Sequence, residues 1–239
     1  MSLSYDFLNV ADQLQRTFSG FTNDLITDAK EIILHTCKLI PLQDIAVSFN
    51  GGKDCVVVVE LLREVLGLET LKNITFFFLE NPDAEFLEMT QFRSKYFKER
   101  LQGVKLHKID SRDGMIQGMW SVKRQFKVKI FFMGTRKDDL SEPPPYPWEL
   151  NSEGWPSMLR VYPILNWSYG DVWNYILSAS VPFCVLYSCG YTSLGDCRST
   201  QKNSKLLTSE GEYSPAWMLQ TNEHEREGRE KNRGTIKGL

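Results

Sequence analysis

The chain has 239 residues, of which 42% are hydrophobic and 24% are charged. These values are ordinary for a globular protein and exclude a disordered or fibrous chain. With 28 basic and 30 acidic residues the formal net charge is −2, which argues against a general nucleic-acid binder.

The sequence also predicts a chain without membrane spans, a secretory leader or a disulfide framework. No stretch approaches the roughly 18–20 apolar residues that a membrane helix needs, and the opening MSLSYDFLNV has no basic leader. The five cysteines are odd in number and lack CxxC spacing, so neither disulfides nor a zinc site are expected. We therefore expect a cytoplasmic protein, monomeric, with no membrane or nucleic-acid partner.

Two amphipathic helices are predicted first. Apolar residues recur at helical spacing over residues 4–18 and 23–40, and Pro41 ends the second segment. We expect these helices to form a lead-in, residues 1–41, that packs on the core.

Short apolar runs then alternate with amphipathic stretches. The run KDCVVVVELLREVL suggests a strand by its valines, but its continuation to Gly67 favours a helix. The alternation predicts an α/β fold with a doubly wound, mainly parallel sheet and right-handed crossovers. Strands are predicted at 44–49, 73–79, 104–109, 128–133 and near 159–165, and helices at 53–66, 83–102 and 112–126.

The rest of the chain is less regular. The stretch GTRKDDLSEPPPYPW, residues 134–148, is predicted to be a loop, and Ser168 and Asp171 resemble a capping box for a helix over 168–179. The charged tail from residue 222 is expected to be a solvated helix with a frayed end. We predict a single domain over 1–239, with a nucleotide-binding α/β core at 42–165 and an irregular substrate-binding region at 166–239.

The strongest local signal is SFNGGKD, which follows a strand and opens a helix. Two glycines let the backbone turn sharply and approach an anion, and the helix N-terminus presents free N–H groups to it. The loop is not a Walker A motif, because its glycines are adjacent. A carboxylate beside bound phosphates suits a divalent cation such as Mg²⁺. A simple Gly-Gly turn is the alternative. The predicted cofactor-binding residues of the loop are Ser48, Asn50, Gly51, Gly52, Lys53 and Asp54, with Asp54 as the carboxylate beside the phosphates.

A second signal is MGTRKDD, which lies just past a strand. Ligands in open α/β sheets bind outside this carboxyl edge. Arg136 and Lys137 offer positive charge for phosphates, and Asp138 and Asp139 offer oxygens for a metal or an amine. Taken alone, the segment is equally well described as a polar loop.

Aromatic residues crowd residues 148–173, and we expect most of them in the core rather than on a ligand. The three histidines are scattered, and no Ser-His-Asp or Cys-His grouping stands out, so the chemistry should not need an imidazole base. The aromatic cluster comprises Trp148, Trp155, Trp167, Tyr169 and Trp173.

Five blocks occur in a specific order: SFNGGKD, MGTRKDD, GWPSMLRVYPILNWSYGDVWNYI, VPFCVLYSCGYTSLGD and PAWMLQTNEHEREGR. Over roughly residues 43–230 this series resembles the eukaryotic FAD synthetases, or FMN adenylyltransferases. They belong to the wider group related to phosphoadenylyl-sulfate reductases and N-type ATP pyrophosphatases. The resemblance implies an adenine nucleotide alpha hydrolase-like, Rossmann-like fold, with ATP and FMN as substrates, FAD as product and Mg²⁺ as cofactor.

The resemblance also assigns site residues. Arg226 and Arg229 match arginines that close the flavin site, and residues three apart share a helix face if the tail is helical. Trp155 resembles part of the flavin pocket, and Asn50 and Asp54 are the implied metal ligands. The implied catalytic residues are Asn50, Asp54, Asp139, Arg226 and Arg229, and the further binding residues are Gly134, Arg136, Trp155 and Arg160.

Some positions depart from the family pattern. Phe49 stands where many members have Tyr, and Leu140 replaces a frequent Pro. The adjacent Asp138 leaves the assignment of Asp139 open. Some animal members carry an additional N-terminal domain, for which we expect this chain to have no room.

The expected reaction transfers AMP from ATP to the phosphate of FMN and releases pyrophosphate. A phosphomonoester is already ionised near neutral pH, so the nucleophile needs no general base. The alternatives are a sulfonucleotide reductase, an ATP pyrophosphatase with another acceptor, a tRNA-modifying enzyme and a non-catalytic nucleotide- or flavin-binding module. The reductase would need a late nucleophilic cysteine, and none follows Cys197 in this sequence.

Overall fold

The computed structural model describes residues 6–22 and 24–229. The ends of the predicted lead-in and tail, residues 1–5 and 230–239, lie outside the described residues, as does residue 23.

The first two helices of the described residues are α1 (Phe7–Thr17) and α2 (Leu25–Leu39). Asp6 caps the first by accepting a hydrogen bond from the amide of Asn9, and Asp24 caps the second. Both helices bury apolar residues in the main core. The predicted helical lead-in is confirmed.

The sheet has six strands: β1 (Ile45–Ser48), β2 (Thr75–Glu80), β3 (Leu106–Asp110), β4 (Ile130–Phe132), β5 (Trp148–Leu150) and β6 (Leu159–Val161). Their order is β3-β2-β1-β4-β6-β5. All neighbours are parallel except β5 and β6, which are antiparallel. The mainly parallel sheet is confirmed, whereas the short edge strand β5 was not predicted.

Within the described residues, five further helices connect the strands or follow them: α3 (Lys53–Leu66), α4 (Leu68–Leu71), α5 (Leu87–Arg100), α6 (Met115–Phe126) and α7 (Tyr169–Ser178). The helix predicted at 53–66 is confirmed, and Gly67 ends it with φ +75°. Helix α5 begins later than predicted, because Pro82–Ala84 form a separate 3-10 turn. The capping box of α7 is confirmed, since the Ser168 amide donates to Asp171 Oδ2 at 2.8 Å and the Asp171 amide donates to Ser168 Oγ at 3.1 Å.

The sheet is covered on both faces, as expected of a doubly wound fold. The larger core cluster contains residues from all three predicted segments, from Ala11 in the first to Ala216 in the third. The smaller cluster packs α6 on the other face, against Ala46, Phe77 and Phe131. The division into one domain with three segments stays a prediction. Four members of the aromatic cluster are core residues, at most 4% exposed: Trp148, Trp167, Tyr169 and Trp173.

A buried carboxylate links α3 to α5. Glu60 Oε1 accepts hydrogen bonds from the Tyr96 hydroxyl at 2.8 Å and from Arg100 Nε at 3.0 Å, and its Oε2 accepts from Arg100 Nη2 at 2.7 Å. Burial disfavours the charged form, yet these bonds and two from Arg63 hold the pKa of Glu60 below its usual value.

After α7, the described residues up to 229 form turns and short 3-10 segments. The predicted helix from residue 222 is wrong within the described residues. Asn222–His224 form a 3-10 turn, and Arg229 pairs with Thr200 as an isolated β-bridge. Helix-face arguments therefore do not apply to the two arginines of this segment. No helix in residues 6–22 and 24–229 is long and apolar enough to cross a membrane.

Candidate active site

Two loops meet where the strand order reverses. The chain runs from β1 outward to β3 and then returns to place β4 on the other side of β1, so the switch point lies between β1 and β4. The glycine loop follows β1, and Gly134 follows β4. A Cβ atom on Gly134 would lie 2.6 Å from the carbonyl carbon of Asp54 and 2.7 Å from the amide nitrogen of Cys55. Because Gly134 has no side chain, the loop after β4 can touch the first turn of α3, which directly follows the glycine loop.

The glycine loop has the conformation that its sequence predicts. Gly51 has φ +86°, a left-handed value that favours glycine. The Gly52 amide donates to Asn50 Oδ1 at 2.8 Å, and the Lys53 amide donates to the Tyr187 hydroxyl at 3.2 Å. The side-chain oxygen of Asn50 is thus engaged within the loop, which leaves its Nδ2 group as the donor for a ligand.

Arg93 of α5 supports this loop from behind. Its side chain is 4% exposed, its Nη1 donates to the Asn50 carbonyl at 2.9 Å, and its guanidinium lies 4.0 Å from the centre of the Phe78 ring. Glu85 forms a salt bridge with the same guanidinium. Arg93 therefore fixes the turn of the glycine loop at Asn50.

Four charged side chains, three of them buried, form an ionic cluster under the two loops. Lys53 Nζ contacts Asp54 Oδ2 at 2.8 Å and Glu225 Oε1. Arg136 Nε lies 2.9 Å from Asp54 Oδ1, and its Nη2 donates to Glu225 Oε2 at 2.6 Å. Lys53 is 2% exposed and Arg136 is fully buried. Two cations and two carboxylates cancel in formal charge, as buried ions require.

The cluster keeps Lys53 and Asp54 ionised. Burial disfavours the charged form of Lys53, yet Asp54 and Glu225 hold its pKa above the usual value. Burial also opposes ionisation of Asp54, but Lys53 and Arg136 keep the pKa of its carboxyl below the usual value. Asp54 is therefore a fixed negative charge and not a proton acceptor near neutral pH.

One cavity brings together the residues that the sequence analysis predicts to be catalytic. It has a volume of about 130 Å³, and Arg226 Nη2 donates to Asp139 Oδ1 at its rim at 2.8 Å. A neighbouring cavity of about 430 Å³ shares Asp139 and Arg226 with it and includes Asp138. The predicted catalytic residues that line the smaller cavity are Asn50, Asp54, Asp139, Arg226 and Arg229. Their roles in catalysis stay predictions.

Arg229 is the cation of this cavity that lacks a carboxylate. Among the residues that the structure describes, no carboxylate lies within salt-bridge distance of it, and its Nη1 donates to Ser193 Oγ at 3.4 Å. Its guanidinium fills the space that a side chain on Gly195 would need. Burial lowers the pKa of Arg229, and the nearby charge of Arg226 adds to this effect. A bound anion would relieve both effects.

Two of the predicted binding residues lie elsewhere. Trp155 is partly buried against the smaller core cluster, which includes Met158. Arg160 on β6 donates to the Leu150 carbonyl at 2.9 Å and pairs with Glu149 at 3.0 Å, so its guanidinium is engaged with β5. Their flavin role stays a prediction. Ser48 ends β1 next to the glycine loop.

Sequence reasoning missed three residues of the site. Glu225 was read as one more solvated charge of the tail, and Tyr187 as part of a family block. Arg93 carried a usable signal, because it lies with Met89 and Tyr96 on the buried stripe of α5. A charged residue at an apolar position of an amphipathic helix indicates a buried ionic contact.

The side chains do not build a metal cage of their own. Within the described part of the chain, no group of three or more His, Cys, Asp or Glu side chains is arranged to hold a metal ion. Both oxygens of Asp54 contact cations, and the oxygen of Asn50 accepts from Gly52. This donor set does not fit a resident, protein-held Mg²⁺, and metal ligation by these two residues stays a prediction.

Comparison with known proteins agrees with the geometry. The family model described as phosphoadenosine phosphosulfate reductase domain matches residues 44–123 and 116–202. A Schizosaccharomyces pombe protein named probable FAD synthase is 35% identical over 196 residues, which are 77% of this chain and 71% of that protein. A Caenorhabditis elegans protein of the same name is 35% identical over 214 residues, or 84% of this chain. This chain spans 39% of the nematode protein's length.

Solved structures share the fold. FMN adenylyltransferase of Candida glabrata, in complex with FMN and the ATP analogue AMPCPP, superposes with a TM-score of 0.77 at 21% identity, over 94% of this chain and 95% of that one. A phosphoadenylyl-sulfate reductase of Candida auris superposes with a TM-score of 0.60 at 18% identity, over 84% of this chain and 99% of that one.

The sheet order and the paired loops at its switch point define an α/β protein of the adenine nucleotide alpha hydrolase-like, phosphoadenylyl-sulfate reductase-related class. Within this class the sequence identities resolve a narrower group. The chain belongs to the FAD synthase family.

Proposed function

We propose that the chain is an FMN adenylyltransferase, which converts FMN and ATP into FAD and pyrophosphate. Its family supports this activity. The observation that carries the proposal is the cavity of about 130 Å³, in which the glycine loop faces a cation without a carboxylate partner. Adenylyl transfer brings two phosphorylated substrates together, and this cavity offers the glycine loop for one phosphate and Arg229 for the other.

The nucleotide phosphates belong on the glycine loop. The loop precedes α3, so the N-terminal dipole of this helix favours negative charge there. Gly51 and Gly52 allow a close backbone approach, and Asn50 Nδ2 adds a side-chain donor. Lys53 adds positive charge from below the loop, because its ammonium is buried against Asp54 and Glu225.

The FMN phosphate belongs on the arginines of the C-terminal segment. Arg226 is 56% exposed and pairs with Asp139 at the cavity rim, and Arg229 lies at the cavity wall. A phosphate dianion suits two neighbouring guanidinium groups, since arginine donates in pairs to phosphate oxygens. This placement puts the two phosphates side by side.

The chemistry then needs positioning more than proton transfer. The FMN phosphate is a monoester with a second pKa of about 6, so its oxygen is already a nucleophile toward the α-phosphorus. None of the three histidines lines the cavity: His35 bonds the Leu14 carbonyl, His107 lies on β3 and His224 pairs with Glu227. Asn50 Nδ2, the N-terminal dipole of α3 and the arginines stabilise charge that develops on the α-phosphate and on the leaving pyrophosphate.

Magnesium enters as part of the substrate. Mg²⁺ bound to nucleotides keeps several waters and takes few protein ligands, which agrees with a site that has no carboxylate cage among the described residues. We propose that it arrives as MgATP. A monomeric state and a cytoplasmic location stay predictions.

The test combines product analysis with one variant. Purified protein is incubated with MgATP and FMN, flavins are separated by chromatography, and pyrophosphate is measured. We expect FAD and pyrophosphate in equal amounts, and no product when riboflavin replaces FMN.

Arg229→Ala should raise the KM for FMN by roughly tenfold or more, because a charge-assisted contact to phosphate is lost. The matched control is Arg198→Ala, an exposed arginine that pairs with Asp196. The absence of FAD, with ATP binding retained, would overturn the choice of acceptor. An unchanged KM in Arg229→Ala would remove Arg229 from the flavin site.

A further inference from the structure

Glu225 occupies a central position that neither the loop motifs nor the predicted catalytic set explains. Its side chain is 8% exposed. One carboxylate oxygen contacts Lys53 Nζ, and the other accepts from Arg136 Nη2 at 2.6 Å. Lys53 begins α3 after the first loop, and Arg136 belongs to the loop after β4. A single carboxylate of the C-terminal segment therefore binds the cations of both nucleotide loops.

The backbone around Glu225 is also held by buried groups. The Thr192 hydroxyl donates to the Glu225 carbonyl at 2.6 Å. Asn203 Nδ2 donates to Thr192 Oγ1 at 2.9 Å and to the His224 carbonyl at 2.7 Å. Thr192 is 1% exposed and Asn203 is fully buried. These contacts aim the carboxylate at the two cations, so its orientation is set by the fold.

The two arginines proposed to bind FMN lie one and four residues further along the same segment. Arg226 reaches Asp139 across the cavity rim, and Arg229 lies at the cavity wall. The segment forms 3-10 and turn structure without a helix or a strand ladder of its own. Its place relative to the glycine loop thus depends on tertiary contacts, and those of Glu225 are the most deeply buried ionic ones.

We propose that Glu225 is a positioning residue for the adenylyl transfer: it ties the segment carrying Arg226 and Arg229 to Lys53 and Arg136, and so sets the FMN phosphate opposite the ATP phosphates. This inference rests on the proposed function. Both oxygens of its carboxylate are engaged by Lys53 and Arg136, so the residue acts through the two arginines that follow it. Glu225 keeps the segment in position, and its negative charge is what binds the two cations.

A carboxylate is required because both partners are cations. A glutamine at this position offers one oxygen acceptor and one NH₂ donor, so one of the two cations would face a donor. It would also leave the buried cluster with one unbalanced positive charge. The segment should then detach from the loops while the glycine loop keeps its own bonds to Asn50, Tyr187 and Arg93. ATP binding should survive a change that damages FMN binding.

The experiment compares Glu225→Gln with Glu227→Gln. Glu227 lies in the same segment, and its contact is a surface pair with His224, which contributes little. For each variant we measure the Kd of MgATP, the KM for FMN and kcat. We expect Glu225→Gln to raise the KM for FMN by roughly tenfold or more, as loss of a buried charge-assisted contact implies, with the Kd of MgATP changed less than about threefold. Glu227→Gln should match the parent protein.

A second readout does not depend on activity. Hydrogen exchange of residues 221–229 reports whether the segment remains attached, since the Glu225 amide bonds the Asn222 carbonyl and the Arg229 amide bonds the Arg226 carbonyl. Exchange there should be roughly tenfold faster in Glu225→Gln, with the amides of α3 unchanged. Thr192→Val, which removes the hydroxyl from the Glu225 carbonyl, should give the same pattern in weaker form.

The outcomes separate the two proposals. If the parent protein makes no FAD, the proposed function fails, and faster exchange in Glu225→Gln would still support the link between the segment and the loops. If the parent protein is active but Glu225→Gln has unchanged FMN kinetics or unchanged exchange, the positioning role is overturned. Equal losses of ATP and FMN binding would also overturn it, because they would indicate a general structural role.

Discussion

Gly134 offers the sharpest test of how the two loops are packed at the switch point. In Gly134→Ala the added methyl would lie 2.6 Å from the carbonyl carbon and 2.9 Å from the carbonyl oxygen of Asp54. Gly134 does not have a left-handed φ, so alanine meets no backbone strain of its own. The whole effect must come from the contact with the first turn of α3.

The magnitude follows from that contact. Carbon atoms normally approach to about 3.5–4.0 Å, so the two loops must separate by close to an ångström, and backbone atoms cannot rotate out of the way. Overpacking of this kind costs roughly 1–3 kcal/mol, and we expect the upper end. For a chain of this size, about 3 kcal/mol corresponds to a Tm lower by about 6–12 °C. Because Asp54 moves with the loop, kcat should fall by roughly 10²-fold, as expected for a misplacement of about 1 Å.

The matched control is Gly170→Ala in α7. The nearest atom to its added methyl would be Ser168 Oγ at 3.7 Å, an ordinary contact. This change should leave activity intact and stabilise the protein by about 0.5–1 kcal/mol, because alanine favours helix. Thermal unfolding and initial rates of FAD formation decide the comparison. The reasoning is refuted if Gly134→Ala has the Tm and kcat of Gly170→Ala.

Two further predictions concern the supports of the site. Glu60→Gln should lower the free energy of unfolding by roughly 1–3 kcal/mol at pH 7, since charged hydrogen bonds from Arg100 are lost. The pKa of the Glu60 carboxyl is depressed in the folded state. The loss of unfolding free energy should therefore be complete above the unfolded pKa of about 4.3 and shrink as the pH falls through the folded-state pKa. A loss that does not vary with pH in urea unfolding would contradict this prediction. Arg93→Lys should raise the KM for ATP by roughly tenfold, because lysine cannot hold both the Asn50 carbonyl and its other partners. The KM for FMN should change less, and Arg124→Lys, an exposed arginine on α6, serves as the control; equal KM values for ATP in the two variants would sink the argument.

Most of the fold was predictable because its signals are local. Residues that are close in sequence determine the helix over residues 53–66 and the cap at Ser168. Buried parallel strands appear as apolar runs. Strand β5 has no such signal. It has three residues, follows a proline-rich loop and is specified by its partner β6 and by the bond from Trp148 Nε1 to Thr36 Oγ1. Contacts between distant segments are invisible to a reading of local pattern.

The same limit explains the site. The glycine loop and the loop at Gly134 could be placed at one edge of the sheet, because the carboxyl ends of parallel strands share an edge. The tail could not be placed. Its charges suggested a solvated helix, but Glu225 is buried between Lys53 and Arg136, and the Gly228 carbonyl accepts from the Gln201 amide at 2.7 Å. Charge patterns describe a solvated surface well and fail where opposite charges from distant segments pair inside the protein.

The central claim is that the AMP part of ATP is transferred to the phosphate of FMN. The most direct measurement follows phosphorus: the protein is incubated with FMN and Mg²⁺ and with ATP labelled either at the α- or at the γ-phosphate. The account predicts that α-label appears in FAD and γ-label in pyrophosphate, in equal amounts. Either γ-label in a flavin, or α-label released as AMP with no FAD formed, would contradict the account.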